Sequence, residues 1–222
     1  MDGMFITFEG IEGCGKTTQI GLLNDYLKEK GYKTLLTREP GGTALGDKIR
    51  AILLSQDSKD MAPVTELLLY AAARNQHLSQ VIRPALEKGM IVLCDRYADA
   101  TEAYQGAARN LDSKIVQDVH KIATDGQMPV LTILFDCPVE IGLNRAHTRN
   151  DKDEKLKSED RFEREELDFH KRVRDGYLAI AKREPNRVKI VDATKNIDEI
   201  QREIQKIVEQ VQKVALDHPE WS

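Results

Sequence analysis

The sequence predicts an α/β fold built on a five-stranded parallel sheet. Short runs of β-branched and aliphatic residues alternate with longer segments of helical periodicity. Because strands that alternate with helices usually pair in parallel, this order indicates one sheet with helices on both of its faces. The chain has 222 residues, of which 41% are hydrophobic, and we expect a single domain over residues 1–222.

Individual elements follow from the local patterns. The predicted strands are residues 4–8, 33–37, 90–94, 130–135 and 187–191. The predicted helices are residues 16–30, 44–54, 64–88, 112–125, 138–148, 162–183 and 196–214. The last helix is the clearest, because isoleucine and valine recur there at helical spacing. Pro84 is expected to kink or end the third helix near Arg83, because proline lacks an amide hydrogen and its ring clashes with the preceding turn.

Composition and cysteine usage limit the partners and the compartment. The net charge is −4 and the basic residues form no long stripe, so we expect no nucleic acid partner. The first residues carry no basic segment ahead of their apolar stretch, and no apolar run approaches the length of a membrane span. Cys14, Cys94 and Cys137 form no C-x-x-C pair. These features predict a cytoplasmic protein that binds no membrane.

A glycine-rich loop follows the first predicted strand. Residues 10–17, with the sequence GIEGCGKT, match G-x-x-x-x-G-K-[ST] in full. The three glycines allow backbone amides to point inward at a helix N-terminus, which is a favourable site for an anion. Lys16 adds a positive charge, and the hydroxyl of Thr17 can bind Mg²⁺. The loop therefore predicts the binding of a nucleoside triphosphate.

Two further segments bear on which triphosphate is bound and how. Asp95 ends a predicted apolar strand, where a carboxylate points toward the ligand crevice and can act near Mg²⁺. A GTPase would recognise guanine with [NT]-K-x-D, but after Thr194 and Lys195 the acid is Asp198, one residue too late. A GTPase switch is therefore disfavoured.

An acceptor site is indicated by two other segments. Arg38 leaves the second predicted strand beside Pro40 and two glycines, where its guanidinium could clamp a phosphate monoester. Tyr70 and Arg74 are four residues apart on a predicted helix and so share a face. They could stack on a base and bind its oxygen. Taken alone, such a pair is more often a core aromatic beside a surface ion pair.

Six segments together resemble the thymidylate kinase family of nucleoside monophosphate kinases. They are EGIEGCGKTT at 9–18, TREPGGT at 37–43, YAAAR at 70–74, DRY at 95–97, AYQG at 103–106 and DAT at 192–194. The resemblance covers nearly the whole chain. It implies a three-layer P-loop NTPase fold with a mobile lid at about 145–163, and a homodimer. It also implies ATP-dependent phosphorylation of dTMP to dTDP for dTTP synthesis, with ATP and Mg²⁺ as cofactors.

The resemblance also implies roles for individual residues. ATP would contact Gly10, Ile11, Glu12, Gly13, Cys14, Gly15, Lys16, Thr17, Thr18, Arg145, Asp192, Ala193 and Thr194. dTMP would contact Glu12, Arg38, Pro40, Arg50, Tyr70, Arg74, Arg96, Thr101, Tyr104 and Gln105. Mg²⁺ would be held by Thr17 and Asp95, partly through water. The residues expected to carry catalysis are Lys16, Asp95, Arg96, Arg149 and Arg161.

The lid is expected to supply positive charge for the transfer, because positions 11–14 of the phosphate loop hold no arginine. Arg145, Arg149 and Arg161 flank a polar stretch, and DRFE at 160–163 resembles the lid signature of bacterial-type enzymes. We hypothesise that Arg161→Ala lowers kcat strongly while dTMP affinity stays nearly intact. The five histidines have no metal-binding spacing, so no metal beyond Mg²⁺ is expected.

Two alternatives remain open at this point. Another nucleoside monophosphate kinase, acting on UMP, CMP or GMP, would share the loop and the lid. Glu12, Tyr70 and Arg74 favour a deoxyribose and a 4-oxo pyrimidine instead. A nonenzymatic nucleotide sensor would keep the phosphate loop but would lack the acceptor residues and the lid arginines.

Overall fold

A five-stranded sheet forms the centre of the computed structural model, which describes residues 3–151 and 160–217. Its strands are β1 (Met4–Glu9), β2 (Thr34–Arg38), β3 (Ile91–Asp95), β4 (Leu131–Asp136) and β5 (Val188–Asp192). All paired neighbours are parallel, in the order β2-β3-β1-β4-β5. The predicted fold class is confirmed, and each strand lies within a residue or so of its predicted bounds.

Burial of the strands follows their place in the sheet. The central strands β1, β3 and β4 are apolar and buried along nearly their whole length, whereas the edge strands β2 and β5 are partly exposed. Adjacent side chains of β1 point to opposite faces. Phe5 packs with Leu78 and Ile82. Ile6 belongs to a separate cluster with Leu23, so apolar helices cover both faces of β1.

Nine α-helices accompany the sheet in the described residues. They are α1 (Lys16–Glu29), α2 (Ala44–Leu54), α3 (Pro63–His77), α4 (Arg83–Glu87), α5 (Ala98–Thr101), α6 (Ser113–Thr124), α7 (Val139–Asn150), α8 (Leu167–Arg183) and α9 (Ile197–Asp217). A π-helical segment, Leu78–Ile82, joins α3 to α4, and another, Glu102–Ala108, continues α5. None of the helices in these ranges is long and apolar enough to cross a membrane.

Three features differ from the predicted helices. The third predicted helix is divided by the π-helical segment, and Pro84 lies in the first turn of α4, where a missing amide hydrogen is tolerated. The helix predicted to begin at residue 162 begins at Leu167, because residues 161–164 form turns. The helical stretch over 98–108 was not predicted. Residues 152–159 of the predicted lid lie outside the described residues.

Parallel pairing places three charged side chains at the same edge of the sheet. The carboxyl ends of β1, β2 and β3 carry Glu9, Arg38 and Asp95, and the register pairs Arg38 with Asp95. The glycine-rich loop leaves β1 at the same edge and enters α1 at Lys16. Ligands of open α/β sheets bind outside this edge.

Candidate active site

A cavity of about 650 Å³ opens at the carboxyl edge of the sheet. Most of the predicted site residues line it, namely Glu12, Gly13, Cys14, Gly15, Lys16, Thr17, Thr18, Arg38, Pro40, Arg50, Tyr70, Asp95, Arg96, Thr101, Tyr104, Gln105, Arg145 and Arg149. Lining residues that were not predicted are Glu39, Leu54, Ala100, Asn150, Phe162 and Glu163. The phosphate loop and the predicted acceptor residues therefore share one space.

The phosphate loop has the backbone that its glycines predict. Gly13 and Gly15 have φ of 67° and 94°, in the left-handed region that glycine tolerates. Lys16 is buried, and its Nζ donates to the carbonyl oxygens of Gly10 and Ile11, each at 2.9 Å. Gly10 and Ile11 do not line the cavity. Their carbonyl oxygens accept the Lys16 hydrogen bonds and so fix the position of its side chain.

Two side chains with oxygen atoms that can bind a metal ion, Thr17 and Asp95, lie close together beside the phosphate loop. The hydroxyl of Thr17 donates to Oδ2 of Asp95 over 3.3 Å, and both side chains line the cavity. A hydroxyl and a carboxylate suit Mg²⁺, which binds few protein oxygens and completes its shell with water and phosphate. No cluster of three or more His, Cys, Asp or Glu side chains in residues 3–151 and 160–217 could hold another metal ion. The residues fit the predicted Mg²⁺ site.

Glu12 lies at the centre of the acceptor side. Its Oε1 accepts hydrogen bonds from the hydroxyl of Tyr104 and from Nη2 of Arg96, the latter at 3.0 Å. Nδ1 of His170 lies 3.3 Å from the other carboxylate oxygen. Burial opposes ionisation of Glu12, but His170, Arg96 and Tyr104 outweigh it and hold its pKa well below the usual range. Glu12 is therefore a partly buried, ionised acceptor.

Arg96 is fixed by groups from several elements. Its φ is 70°, a left-handed value that is uncommon for a residue with a side chain. Nη1 donates to the hydroxyl of Tyr177 over 3.1 Å, and the guanidinium carbon lies 4.9 Å from the centroid of the Tyr104 ring. The side chain is 19% exposed, toward the cavity. Its direction is thus set without any ligand.

A buried carboxyl lies behind Arg96. Glu9 accepts from the backbone amide of Tyr97 at 2.7 Å and from the hydroxyl of Tyr177 at 2.8 Å. Burial, with Asp99 nearby, raises the pKa of Glu9 to about 8. Sequence reasoning missed Glu9, Tyr177 and His170. The available signals were an acid closing an apolar strand, and two polar rings seven residues apart on one helix.

The residues predicted to contact the base lie only partly in the cavity. Tyr70, Thr101 and Gln105 line the cavity, whereas Arg74 does not. Arg74 is buried, donating from Nε to Glu39 over 2.8 Å and from Nη2 to the carbonyl oxygen of Tyr97 over 2.9 Å. Its remaining nitrogen, Nη1, has no hydrogen-bond partner in the part of the chain that the structure describes. Arg74 is therefore held by Glu39 and Tyr97 outside the cavity lining, with one buried donor unpaired.

Glu66 connects Gln105, which lines the cavity, to Arg161, which does not. It is fully buried and accepts from Nε2 of Gln105 and from Nη2 of Arg161, each at 2.7 Å. Nε of Arg161 donates to the carbonyl oxygen of Leu53 over 2.6 Å. Arg161 does not line the cavity. Its predicted catalytic role stays a prediction, but its donors are directed at Glu66 and Leu53.

Arg149 and Arg145 differ from Arg161 in reaching the cavity from α7. The side chain of Arg149 is 51% exposed, and its Nη2 lies 3.4 Å from Oε1 of Glu163. Arg145 donates from Nη1 to the carbonyl oxygen of Ala193 over 3.2 Å. The loop of Asp192, Ala193 and Thr194 lies outside the cavity lining and is joined to it by this bond. An Asp192 carboxylate oxygen accepts from the Thr194 amide, which fixes the loop.

Comparison with known proteins identifies the family. The family model described as thymidylate kinase matches residues 8–204. The chain belongs to the thymidylate kinase family. A thymidylate kinase of Geotalea daltonii is 57% identical over 197 residues, which cover 89% of this chain and 92% of that protein. A thymidylate kinase of Trichlorobacter lovleyi is 55% identical over 191 residues, covering 86% and 90%.

A solved thymidylate kinase structure agrees with the fold. The crystal structure of the thymidylate kinase from Ehrlichia chaffeensis aligns with a TM-score of 0.74 at 33% identity. The alignment covers 94% of this chain and 99% of the other. As a member of the thymidylate kinase family, the chain is a phosphotransferase that converts dTMP to dTDP with ATP as the phosphoryl donor. The UMP, CMP, GMP and sensor alternatives are not favoured.

Proposed function

We propose that the cavity binds ATP on the phosphate loop and dTMP against Glu12, Arg96 and Tyr70, and transfers the phosphoryl group between them. One observation carries this assignment: both groups of residues line the same space of about 650 Å³. Direct transfer requires the γ-phosphate of ATP and the phosphate of dTMP to be adjacent, with the attacking and leaving oxygens in line. A single cavity with anion-binding residues at two positions provides that arrangement.

On the acceptor side, Arg38 and Arg96 hold the dTMP phosphate. Both line the cavity, and a guanidinium binds phosphate oxygens through paired hydrogen bonds. Glu12 accepts a hydrogen bond from the deoxyribose, and Tyr70 stacks on thymine. Arg74 does not line the cavity, so its predicted bond to a thymine oxygen requires the buried Nη1 to become accessible when dTMP binds. The remaining predicted contacts come from Pro40, Arg50, Thr101, Tyr104 and Gln105.

On the donor side, backbone amides of residues 13–18 surround the ATP phosphates while Lys16 and Arg149 approach the transferred group. Asp95 and Thr17 hold Mg²⁺, which when bound neutralises charge on the phosphate oxygens. Positive side chains offset the repulsion between two anionic reactants. No general base is required, because the attacking phosphate oxygen of dTMP is already ionised near neutral pH.

The predicted lid, including its mobility, remains a proposal, with Arg149 as its catalytic arginine. Arg149 is exposed and borders the cavity, so it can approach the transferred phosphoryl group. Arg161 would act differently, by tying the chain after the lid to Glu66. Lid closure would exclude water that could otherwise accept the phosphoryl group. Arg145 would support the adenine-side loop through Ala193.

The predicted homodimer is supported by an exposed apolar surface on α2, α3 and α6. These helices pack side by side, α3 against both α2 and α6. Their exposed large apolar residues are Leu45 and Ile52 on α2, Val64 and Leu68 on α3, and Ile115 and Ile122 on α6. Each pair is spaced to lie on one helix face. Exposed apolar residues on three neighbouring helices suit contact with a second copy of the chain, and none of these residues lines the cavity.

Sedimentation of Leu68→Lys, Ile122→Lys and the double variant tests the dimer. Burial of a charge at the interface should convert a dimer to a monomer, with Ile141→Lys on α7 as an exposed apolar control that leaves the dimer intact. An unchanged sedimentation coefficient for the double variant would contradict the proposed surface.

The single-domain organisation over 1–222 and the cytoplasmic location stay predictions.

ADP production tests the assignment of the acceptor residues. Mg-ATP is supplied with dTMP, dUMP, UMP, CMP, GMP or AMP as the sole acceptor. We expect a strong preference for dTMP in the wild type and a selective loss of that preference in Tyr70→Leu. Preference for another monophosphate would overturn the base-recognition residues. Absence of acceptor-dependent ADP would indicate a sensor.

A further inference from the structure

We propose that Tyr177 is a positioning residue for Arg96. Its hydroxyl joins the Arg96 guanidinium to the buried carboxyl of Glu9 and so directs Arg96 toward the phosphate of dTMP. This inference rests on the proposed function in one respect, that Arg96 binds this phosphate. Tyr177 itself does not line the main cavity, so it acts through Arg96 rather than on the substrate.

The hydroxyl of Tyr177 stands between an acceptor and a donor. It donates to Oε2 of Glu9 over 2.8 Å and accepts from Nη1 of Arg96 over 3.1 Å. Tyr177 is 2% exposed and Glu9 is fully buried, so water does not compete for these bonds. A phenol hydroxyl can donate one bond and accept another, and here both functions are used.

Glu9 holds both ends of Arg96. One carboxylate oxygen accepts from the amide of Tyr97, the residue that follows Arg96. The other oxygen holds the tip of the Arg96 side chain through Tyr177. Backbone and guanidinium are thereby fixed against the same buried group. Such fixing matters here because Arg96 has a left-handed backbone that a free chain rarely adopts.

Removal of the Tyr177 hydroxyl would leave the guanidinium less constrained. Nη2 would still be held by Glu12, and the Tyr104 ring would still lie against the guanidinium. Nη1 would have lost its partner, and the planar guanidinium, held at Nη2, could tilt and carry Nη1 away from the position that a phosphate oxygen requires. Ordering it again on binding would reduce dTMP affinity. The cost should fall on ligands that carry the phosphate.

The test is Tyr177→Phe, which removes the hydroxyl and keeps the ring that packs against Tyr104. Dissociation constants for dTMP and for thymidine are measured by calorimetry at pH 8.5, above the pKa of about 8 for Glu9, so that its carboxylate accepts both bonds. We expect dTMP affinity to fall roughly three- to tenfold, the effect of one hydrogen bond. Thymidine affinity and KM for ATP should stay the same.

Tyr97→Phe is the matched control. Tyr97 is also buried, and its hydroxyl donates to the carbonyl oxygen of Gln127 over 3.2 Å, outside the Glu9 cluster. This variant loses a buried hydroxyl yet should keep the wild-type ratio of dTMP to thymidine affinity. Equal losses for dTMP and thymidine in Tyr177→Phe, or the same selective loss in Tyr97→Phe, would overturn the inference.

Arg96→Lys separates the inference from the proposed function. If Arg96→Lys leaves the dTMP to thymidine ratio unchanged, the proposed role of Arg96 fails, and the inference fails with it. If Arg96→Lys lowers the ratio but Tyr177→Phe does not, the inference alone fails. In the double variant, Tyr177→Phe should cause no further loss of the ratio, because its effect passes through Arg96. A fully additive loss would contradict that route even if Tyr177→Phe is less stable.

Discussion

Arg96 and Arg149 line the same cavity but are held in opposite ways. Arg96 is 19% exposed and is held by Glu12, Tyr177 and the ring of Tyr104, which come from different elements. Arg149 is 51% exposed, and its guanidinium donates to the neighbouring Asn150 and, over 3.4 Å, to Glu163. One guanidinium has its direction set before any ligand binds, whereas the other keeps much of its freedom.

The difference suggests separate contributions to binding and to turnover. A group that is already ordered loses little entropy when it holds a substrate, so it favours affinity. A mobile side chain that binds more strongly in the transition state than in the ground state lowers the barrier to reaction and so raises kcat. We therefore expect the acceptor side to determine dTMP affinity and the arginine of α7 to determine the rate.

The largest effect is expected for Arg149→Ala. Loss of a positive charge at the transferred phosphoryl group should lower kcat by roughly 10²- to 10³-fold, at or below the lower end of the range of about 10³ to 10⁵ for arginine fingers. Steady-state ADP production at saturating ATP and dTMP measures this. Arg164→Ala is the control, because Arg164 is a similarly exposed arginine that pairs with Asp160 and does not line the cavity. Equal losses of kcat in both variants would break the comparison.

Arg161→Ala should act mainly on stability. The substitution removes the Arg161 partner of the buried Glu66 and leaves it with Arg109 and Gln105, and breaking a buried ion pair costs about 3 kcal/mol. Urea unfolding measures the change, and Arg161→Lys should recover part of it. A strong loss of kcat at unchanged stability would instead support the sequence-based hypothesis of a directly catalytic Arg161.

Glu9→Gln tests whether the Glu9 carboxyl is shielded from water in the folded protein, as its burial indicates. The folded protein keeps the Glu9 proton up to about pH 8, whereas the unfolded chain releases it near pH 4.5. Unfolding therefore releases protons between these values, so wild-type stability falls relative to Glu9→Gln as pH rises through the window. Even half of this pKa rise corresponds to roughly 2 kcal/mol.

The matching measurement is urea unfolding of both proteins at pH 5.0, 6.5 and 8.5. The stability difference should grow in favour of Glu9→Gln with each step. Parallel curves for the two proteins would mean that Glu9 ionises as easily in the folded state as in the unfolded chain. That result would argue against a fully desolvated carboxyl behind Arg96.

Much of the fold could be predicted because its signals are local. Each buried strand is a short β-branched run, and alternation with helices implies parallel pairing. The stretch over 98–108 was missed because alanine and glycine give it little amphipathic pattern, and part of it is π-helical. Residues 162–166 were assigned to a helix because their charges resemble a helix surface, whereas in the structure the carbonyl oxygen of Asp160 closes a turn with the Arg164 amide.

The site could be predicted where a motif names the residue and could not where partners are distant in sequence. The phosphate loop and Asp95 were found from local spacing. Nothing in the sequence around Arg161 indicates that it pairs with Glu66, 95 residues away. Tyr177 and His170 also act only through contacts that the fold creates. Long-range ion pairs leave no periodic pattern that sequence reasoning can detect.

Calorimetric titration of dTMP into Arg96→Lys and Arg149→Ala, side by side with the wild type, tests the division between affinity and rate most directly. We expect the dissociation constant to rise at least about tenfold in Arg96→Lys, which loses a charged hydrogen bond, and to stay within about twofold of the wild type in Arg149→Ala. A dissociation constant that rises equally in both variants would contradict the separation of an ordered acceptor side from an arginine that serves turnover.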